Sequence, residues 1–441
     1  MRNPYIAGRW VSGTEFYGRQ TIVEDILYSP DDHLWVMGLR RSGKTSLLRQ
    51  VELLSKKVGM YLPLFWDVQG CQAPGDLGLA LYEGVEEATK FIATLGVDIS
   101  AWEDLDLFAL LGALVRLVQE NERRLLLLVD EAECLNYLAR DYPPALQRLR
   151  RVLQRGPHIR TVLVSTKRLS ALHELCKDWE TSPFLHGFAL RYLGGLEPEA
   201  AEALICQRQA GRSVQAAPDV VAQVRQLTGA HPYLLQLLCS RLFSAGSLRP
   251  VTDDDLAFVD AQMAGFLLND FAALADPERA ILRAVSLGQL LPADADPTYL
   301  HGLTALGVLR REGDGYAIGN AFFARWLQEQ ADWEAQSEVS AEGTLAVYTQ
   351  AGPDQPDDYA LYGTGLRQLL DQLGQGHPLY QEALVYQQRL DENIARSRRY
   401  GDTETCKADR SEIVDRLNAL ALSTLGTSFN ELCGLATPAA G

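Results

Sequence analysis

Lys44 and Thr45 close the run Gly38-Leu39-Arg40-Arg41-Ser42-Gly43-Lys44-Thr45, and a G-x-x-x-x-G-K-T spacing suits the binding of phosphate. Gly38 and Gly43 permit backbone angles that a side chain forbids, so successive N–H groups can turn inward on anionic oxygens. Lys44 then reaches the β- and γ-phosphates, and the Thr45 hydroxyl is available to Mg²⁺. The expected nucleotide contacts are Gly38, Arg41, Ser42, Gly43, Lys44, Thr45 and Ser46. A second signal is Asp130-Glu131, which ends an apolar run: Asp130 is placed to hold Mg²⁺ through water and Glu131 to polarise an attacking water. Ser165 ends a further apolar run, where it either senses the γ-phosphate or serves as ordinary turn chemistry. A Gly-rich turn or an acidic strand end alone means little. Together in one chain, with a strand before the loop and a helix after it, they point to ATP or ADP with Mg²⁺.

These residues need a sheet to position them. Leu34-Trp35-Val36-Met37 reads as a short strand before the loop, and Leu47, Leu48 and Val51 mark an amphipathic helix after it. That helix aims its positive end at the phosphates. Met60 to Trp66 reads as a second strand, and helical patterns fill roughly 76 to 120 with a break near Gly96-Val97-Asp98. The consecutive apolar residues Leu125 to Val129 suit a central parallel strand buried on both faces. Thr161 to Ser165 and Gly187 to Leu190 supply two more strands. Strands alternating with helices over 1–195 predict a parallel α/β sheet with its ligand at the carboxyl ends. Residues 1–32 are expected either to fold over the nucleotide base or to cap the sheet.

From Leu196 the pattern becomes helical. Pro198, Pro218 and Pro232 open helices, and Thr252 caps another running to about Leu267, which defines a helical unit at 196–270. His231, before one of these helices, reads as a local structural residue. Residues 271–334 give helix, helix, hairpin (Val308 to Ile318) and helix, the order of a winged helix. The segment that would enter a DNA groove, PTYLHGLTAL, carries no Lys or Arg, so it is poorly equipped for phosphate contacts. Only Arg310 and Arg311 on the wing offer charge. A linker at 335–358, rich in Ser, Gly, Pro and acid, leads to a module at 359–441. There Leu379, Ala383, Tyr386, Leu390 and Ile394 mark one helix face, and Ile413, Leu417 and Leu420 another. Gly401-Asp402-Thr403 is the expected turn between them, and Arg396, Arg398 and Arg399 end the first helix. Phe429 and Leu432 are expected to dock back.

Composition sets outer limits. A chain of 441 residues is too long for one core and implies about two to four domains. A net charge of −16 opposes general polyanion binding. Seven scattered cysteines without a C-x-x-C pair imply reduced thiols and no structural zinc. With no signal-peptide pattern and no apolar run long enough for a bilayer, the expectation is a soluble, cytoplasmic protein without membrane partners.

Taken together, Phe16-Tyr17-Gly18-Arg19, the loop GLRRSGKTSLL, the run LLLLVDE, the segment LTGAHPYLLQLLC and the closing AFFARWL resemble a STAND-class P-loop NTPase. This is a branch of the AAA+-related ATPases that includes archaeal-type ATPases and bacterial relatives of NOD-like receptors. The resemblance covers about 1 to 330. It implies that the helical unit and winged helix form a lid over the nucleotide, with Arg19 and Pro232 as nucleotide contacts. Ala230 departs from the Gly that usually precedes His-Pro, and Lys167 and Arg168 are the only candidates for an arginine finger. The tail resembles helical adaptor modules of bacterial signalling ATPases. The implied function is an ATP-dependent switch with slow hydrolysis, a protein effector bound through the tail, and a nucleotide-dependent homo-oligomer, nucleic acid being an unfavoured partner. The alternatives are a DNA-associated ATPase of the origin-recognition or transposition-helper kind and a non-hydrolysing scaffold.

Overall fold

The structure, a computed structural model, describes residues 2–330 except 155, 178, 180–182, 210–212 and 292–294, together with 358–374 and parts of 377–433. The chain divides into two compact units, Met1–Val339 and Ser340–Gly441.

The first unit is built on a parallel sheet of β1 (His33–Gly38), β2 (Tyr61–Asp67), β3 (Arg124–Asp130), β4 (Ile159–Ser165) and β5 (Ala189–Leu193), in the order β2-β3-β4-β1-β5. The four strands β1 to β4 are almost entirely buried because helices cover both faces. On one face α1 (Gln20–Tyr28) and α2 (Lys44–Val58) pack Ile26, Leu47, Leu48 and Val51 on Val36, Leu126, Leu128 and Val164. The other face meets α3 (Pro74–Glu87), α4 (Thr89–Ala93), α5 (Leu107–Glu120), α6 (Leu135–Asp141), α7 (Pro143–Leu153) and α8 (Leu172–Leu175). Each fully buried leucine of β3 contributes about 2 kcal/mol relative to an exposed one. The carboxyl end of this strand is where Asp130 sits.

Two strand boundaries differ from the sequence reading. β4 starts two residues before Thr161 because Arg160 can be buried inside the sheet. Its guanidinium donates to the Ser29 carbonyl at 2.6 Å, the Ser29 hydroxyl at 2.9 Å and the Asp31 carbonyl at 2.7 Å. β5 runs to Leu193, three residues past Leu190. Its Arg191, paired with Asp25 and Asp31, breaks the apolar pattern that marks a strand in sequence.

The helical segment comprises α9 (Pro198–Ile205), α10 (Pro218–Thr228), α11 (Pro232–Leu242) and α12 (Asp253–Ala272), with a small hairpin, β6 (Phe243–Ser244) and β7 (Ser247–Leu248), between the last two. α12 extends five residues beyond the expected Leu267. Then come α13 (Asp276–Ser286), α14 (Pro297–Ala305), the hairpin β8 (Leu309–Glu312) with β9 (Gly315–Ile318), and a helix over 321–330, the expected order of helix, helix, hairpin and helix. One hydrophobic core runs from Tyr5 through the sheet and the helical segment to Leu327. The segments meet backbone to backbone: a Cβ on Gly195 would stand 2.7 Å from the Gly229 carbonyl, and one on Gly229 would collide with the Gly319 carbonyl.

In the second unit, helices Asp358–Leu373 and Glu404–Leu425 and the short Phe429–Leu432 enclose Leu366, Leu369, Ala383, Leu390, Ile413, Leu417 and Phe429. Helix Asp358–Leu373 enlarges the expected helix pair. The linker through 357, the Gly401-Asp402-Thr403 turn and the 396–399 basic cluster lie outside the described residues. Among the described residues no helix is long and apolar enough to cross a membrane.

Candidate active site

The loop between β1 and α2 doubles back so tightly that a Cβ on Gly38 would lie 2.5 Å from the Ser42 hydroxyl. Gly43, with φ +91, hands the chain to α2, and Arg41 takes a left-handed φ of 63 that a non-glycine residue adopts only at some cost. The first N–H groups of α2 therefore point into the loop's concavity. Lys44 is buried, and its Nζ donates to the carbonyls of Leu39 at 2.9 Å and Gly38 at 3.3 Å.

The carboxyl ends of β1 and β3 meet here although β4 lies between them. Thr45 Oγ1 donates to Asp130 Oδ2 at 2.6 Å, and Asp130 Oδ1 accepts the Glu131 N–H at 3.0 Å. Burial pushes the Asp130 carboxyl up, against the pull of the Thr45 hydrogen bond and the Lys44 charge. Glu131 has a left-handed φ of 52. Its carboxyl is pushed up to about 7, first by burial and then by the neighbouring Glu133 charge. Glu133 is itself anchored on Thr166, whose hydroxyl donates to it at 2.8 Å.

A cavity of about 580 Å³ opens over the loop, a size typical of small-molecule sites. Among its described lining residues, Arg9, Arg19, Arg40, Arg41 and Lys44 outnumber Glu15 and Glu131, so this cavity is locally cationic in a chain of net charge −16. The N-terminal segment forms one wall. Val11 N–H donates to Ser46 Oγ at 3.1 Å, Gly13 N–H to Gln50 Oε1 at 2.7 Å, and Ile6 N–H to Gln236 Oε1 at 2.9 Å. Arg49 lies over the rings of Phe65 and Trp10. The segment is thus strung from α2 to α11 beside the cavity.

Arg41, Ser42, Gly43, Lys44, Thr45, Ser46, Arg19, Pro232 and Glu131 all line this cavity, and Gly38 starts the loop. The Arg41 guanidinium sits over the rings of Phe266 and Tyr233, 5.0 and 5.4 Å from their centroids. Arg19 is buried, donates to the Gly194 carbonyl and is pulled down to about 10 by burial. Ser165 does not join them: it is fully buried, and its hydroxyl accepts the Trp35 indole N–H at 2.8 Å. Its O–H is still free to donate, but burial beside the Trp35 ring keeps it out of the cavity. Lys167 pairs with Glu278 of α13, and Arg168 donates to Asn269 of α12 at 3.0 Å, so both are engaged within the chain. His231 caps α11, accepting the Leu234 N–H at 3.5 Å, and is bonded to the Arg40 backbone. Glu133, Thr166 and Asp270 were not singled out from sequence. The acidic repeat in Asp130-Glu131-Ala132-Glu133 was the available signal for Glu133; Asp270 left none, being one of several acids on its helix.

No protein-family model matches the sequence, and no curated protein does. Among solved structures, the chain is similar to the Walker-type ATPase PABY2304 of Pyrococcus abyssi, with 17% identity, a TM-score of 0.55 and coverage of 73% of this chain and 98% of that one. It is more distantly similar to the Aeropyrum pernix ORC2 protein in ADPNP–ADP complexes (15% identity, 71% and 92% coverage, TM-score 0.38). The Aeropyrum pernix ORC1 protein in complex with DNA also matches, with 12% identity, 73% and 95% coverage and a TM-score of 0.36. The chain has the α/β fold of a P-loop NTPase. The Pyrococcus likeness is one of fold, shared over nearly the whole of that chain.

Proposed function

We propose that the chain is an AAA+-related ATPase that binds ATP with Mg²⁺, hydrolyses it slowly and acts as a nucleotide-dependent switch. The observation that supports this most is convergence: Lys44 and Thr45 from one segment and Asp130 and Glu131 from another meet at one cationic cavity, joined by the 2.6 Å bond between Thr45 and Asp130. The residues fit the ligand. Loop N–H groups and Lys44 neutralise phosphate charge, while Thr45 and Asp130 would hold Mg²⁺, which supplies charge neutralisation at the phosphate oxygens when bound. Glu131 orients and deprotonates water. The contacts of Lys167, Arg168 and Arg40 with the lid give nucleotide state a route to lid position. The second unit is then the site of protein association, either an effector or a second copy.

A DNA-associated ATPase is the second reading, and the exposed Arg310 and Arg311 on the β8–β9 wing favour it. Against it, α14 carries no Lys or Arg, and it packs on β5, where the His301 and Tyr192 rings meet edge to face at 6.0 Å between centroids. None of the three structures named above is described as a signalling protein, so the signalling role rests on the sequence resemblance.

The test is to measure ATP binding and phosphate release by the purified full chain and by Lys44→Ala, with and without duplex DNA at physiological salt. The expected result is ATP binding that Lys44→Ala largely abolishes in a folded protein, and turnover indifferent to DNA. Unchanged ATP affinity in Lys44→Ala removes the loop as the site. DNA-stimulated turnover replaces the switch reading by the DNA one.

A further inference from the structure

The Leu39–Arg40 peptide group is gripped from both sides. Its carbonyl accepts Lys44 Nζ at 2.9 Å, while its N–H donates to both carboxylate oxygens of Asp270, at 3.1 and 3.2 Å. Asp270 belongs to the lid, in the last turn of α12, where the helix dipole disfavours a negative charge. Partial burial adds to that cost and pushes its carboxyl up to about 6, although Arg40, Lys44 and Arg168 pull the other way. A carboxylate is therefore held in an unfavourable place by a loop whose N–H groups and lysine are built for anions. The neighbouring contacts share the same seam. Asn269 accepts from Arg168, and buried Glu278 pairs with Lys167, both partners lying just beyond the carboxyl end of β4.

We propose that Asp270 is a latch that holds the lid on the phosphate loop and is weakened selectively by a nucleoside triphosphate; this rests on the nucleotide reading above. The carboxylate acts as the chain's own anion on the loop. A terminal phosphate draws Lys44 toward itself and away from the Leu39 carbonyl, removing the cation that supports the shared peptide and the Asp270 charge. It also brings further negative charge to the loop, and like charges repel strongly where water is scarce. A diphosphate also reaches Lys44 through its β-phosphate, but it lacks the added terminal charge beside Asp270, so the repulsion is weaker and the latch stays closed. Asp270 touches no reacting atom in this scheme: it converts the phosphate count into lid attachment.

The experiment uses the full chain and compares Asp270→Asn, which keeps an acceptor oxygen and the size but removes the charge, with the unmodified protein. Dissociation constants are measured for ADP and for a non-hydrolysable ATP analogue. The latch predicts that Asp270→Asn tightens the analogue about tenfold, the scale of an ordinary coupling between sites, with little change for ADP. Equal shifts for both ligands, or none, overturn it. Hydrogen exchange in the unmodified protein gives a readout independent of any variant's folding: the Arg40 amide and the end of α12 must exchange faster with the analogue than with ADP, and equal rates overturn the latch. A chain that binds neither nucleotide brings down the nucleotide reading and the latch together. Binding with an unchanged preference brings down the latch alone.

Discussion

If Glu131 is the base that activates water, the activity of the chain has a defined pH limb. Burial and the Glu133 charge raise the Glu131 carboxyl to about 7, and only the ionised form accepts a proton. The sign is therefore a rate that climbs with pH. For a base of pKa about 7 the ionised fraction is roughly 0.09 at pH 6, 0.5 at pH 7 and 0.91 at pH 8, so kcat/KM, which reports the free enzyme, rises about tenfold over that interval. Glu131→Gln keeps the shape but loses the base, and should lower turnover by about 10² to 10⁴ while ATP remains bound. Its residual rate should be flat over the same window, which separates the enzyme's ionisation from that of the substrate. Glu133→Gln gives the finer check: the amide oxygen can still accept from Thr166, whereas the charge that lifts Glu131 is gone, so the limb moves to lower pH. The assay is steady-state phosphate release at saturating Mg²⁺ from pH 5.5 to 8.5. A Glu131→Gln protein with near-normal turnover, or a limb that Glu133→Gln leaves in place, would refute the reasoning.

Other outcomes follow from the same geometry. His231 is held neutral by burial, with its pKa lowered from 6.5 to about 4, so its contribution to stability is intact above pH 6.5 and lost as pH falls toward 4. At pH 5 the loss is about 2 kcal/mol for such a shift, and urea unfolding at pH 7 and 5 should show a smaller acid penalty in His231→Asn, which keeps a capping acceptor; an identical penalty removes His231 as the cause. Ending the chain near Pro356 should leave basal ATPase within a few-fold and abolish self-association or effector binding, because residues 2–330 already carry the loop, the carboxylates and the lid; loss of nucleotide binding in that truncation would make the second unit part of the catalytic body.

What was legible from sequence alone is what depends on neighbours along the chain. The loop from Gly38 to Thr45 declares itself because its backbone angles and its lysine are needed at fixed offsets, and β3 declares itself because a strand covered on both faces must be apolar throughout. The order helix, helix, hairpin and helix after α12 and the starts of α9 to α12 follow from the same local rules of proline placement and period. Contacts between distant segments followed no such rule. Ser165 ends a strand at the place a phosphate sensor would occupy, yet Trp35, on the neighbouring strand, donates to its buried hydroxyl. β4 could begin at Ile159 only because the Ser29–Asp31 turn offers carbonyls to a buried arginine. Asp270 is one more acid on an acidic helix until the fold sets it against the Arg40 amide. Periodicity reports which face of an element is buried, whereas the identity of the polar partner across an interface is decided by how the elements stack, and that is a property of the folded chain.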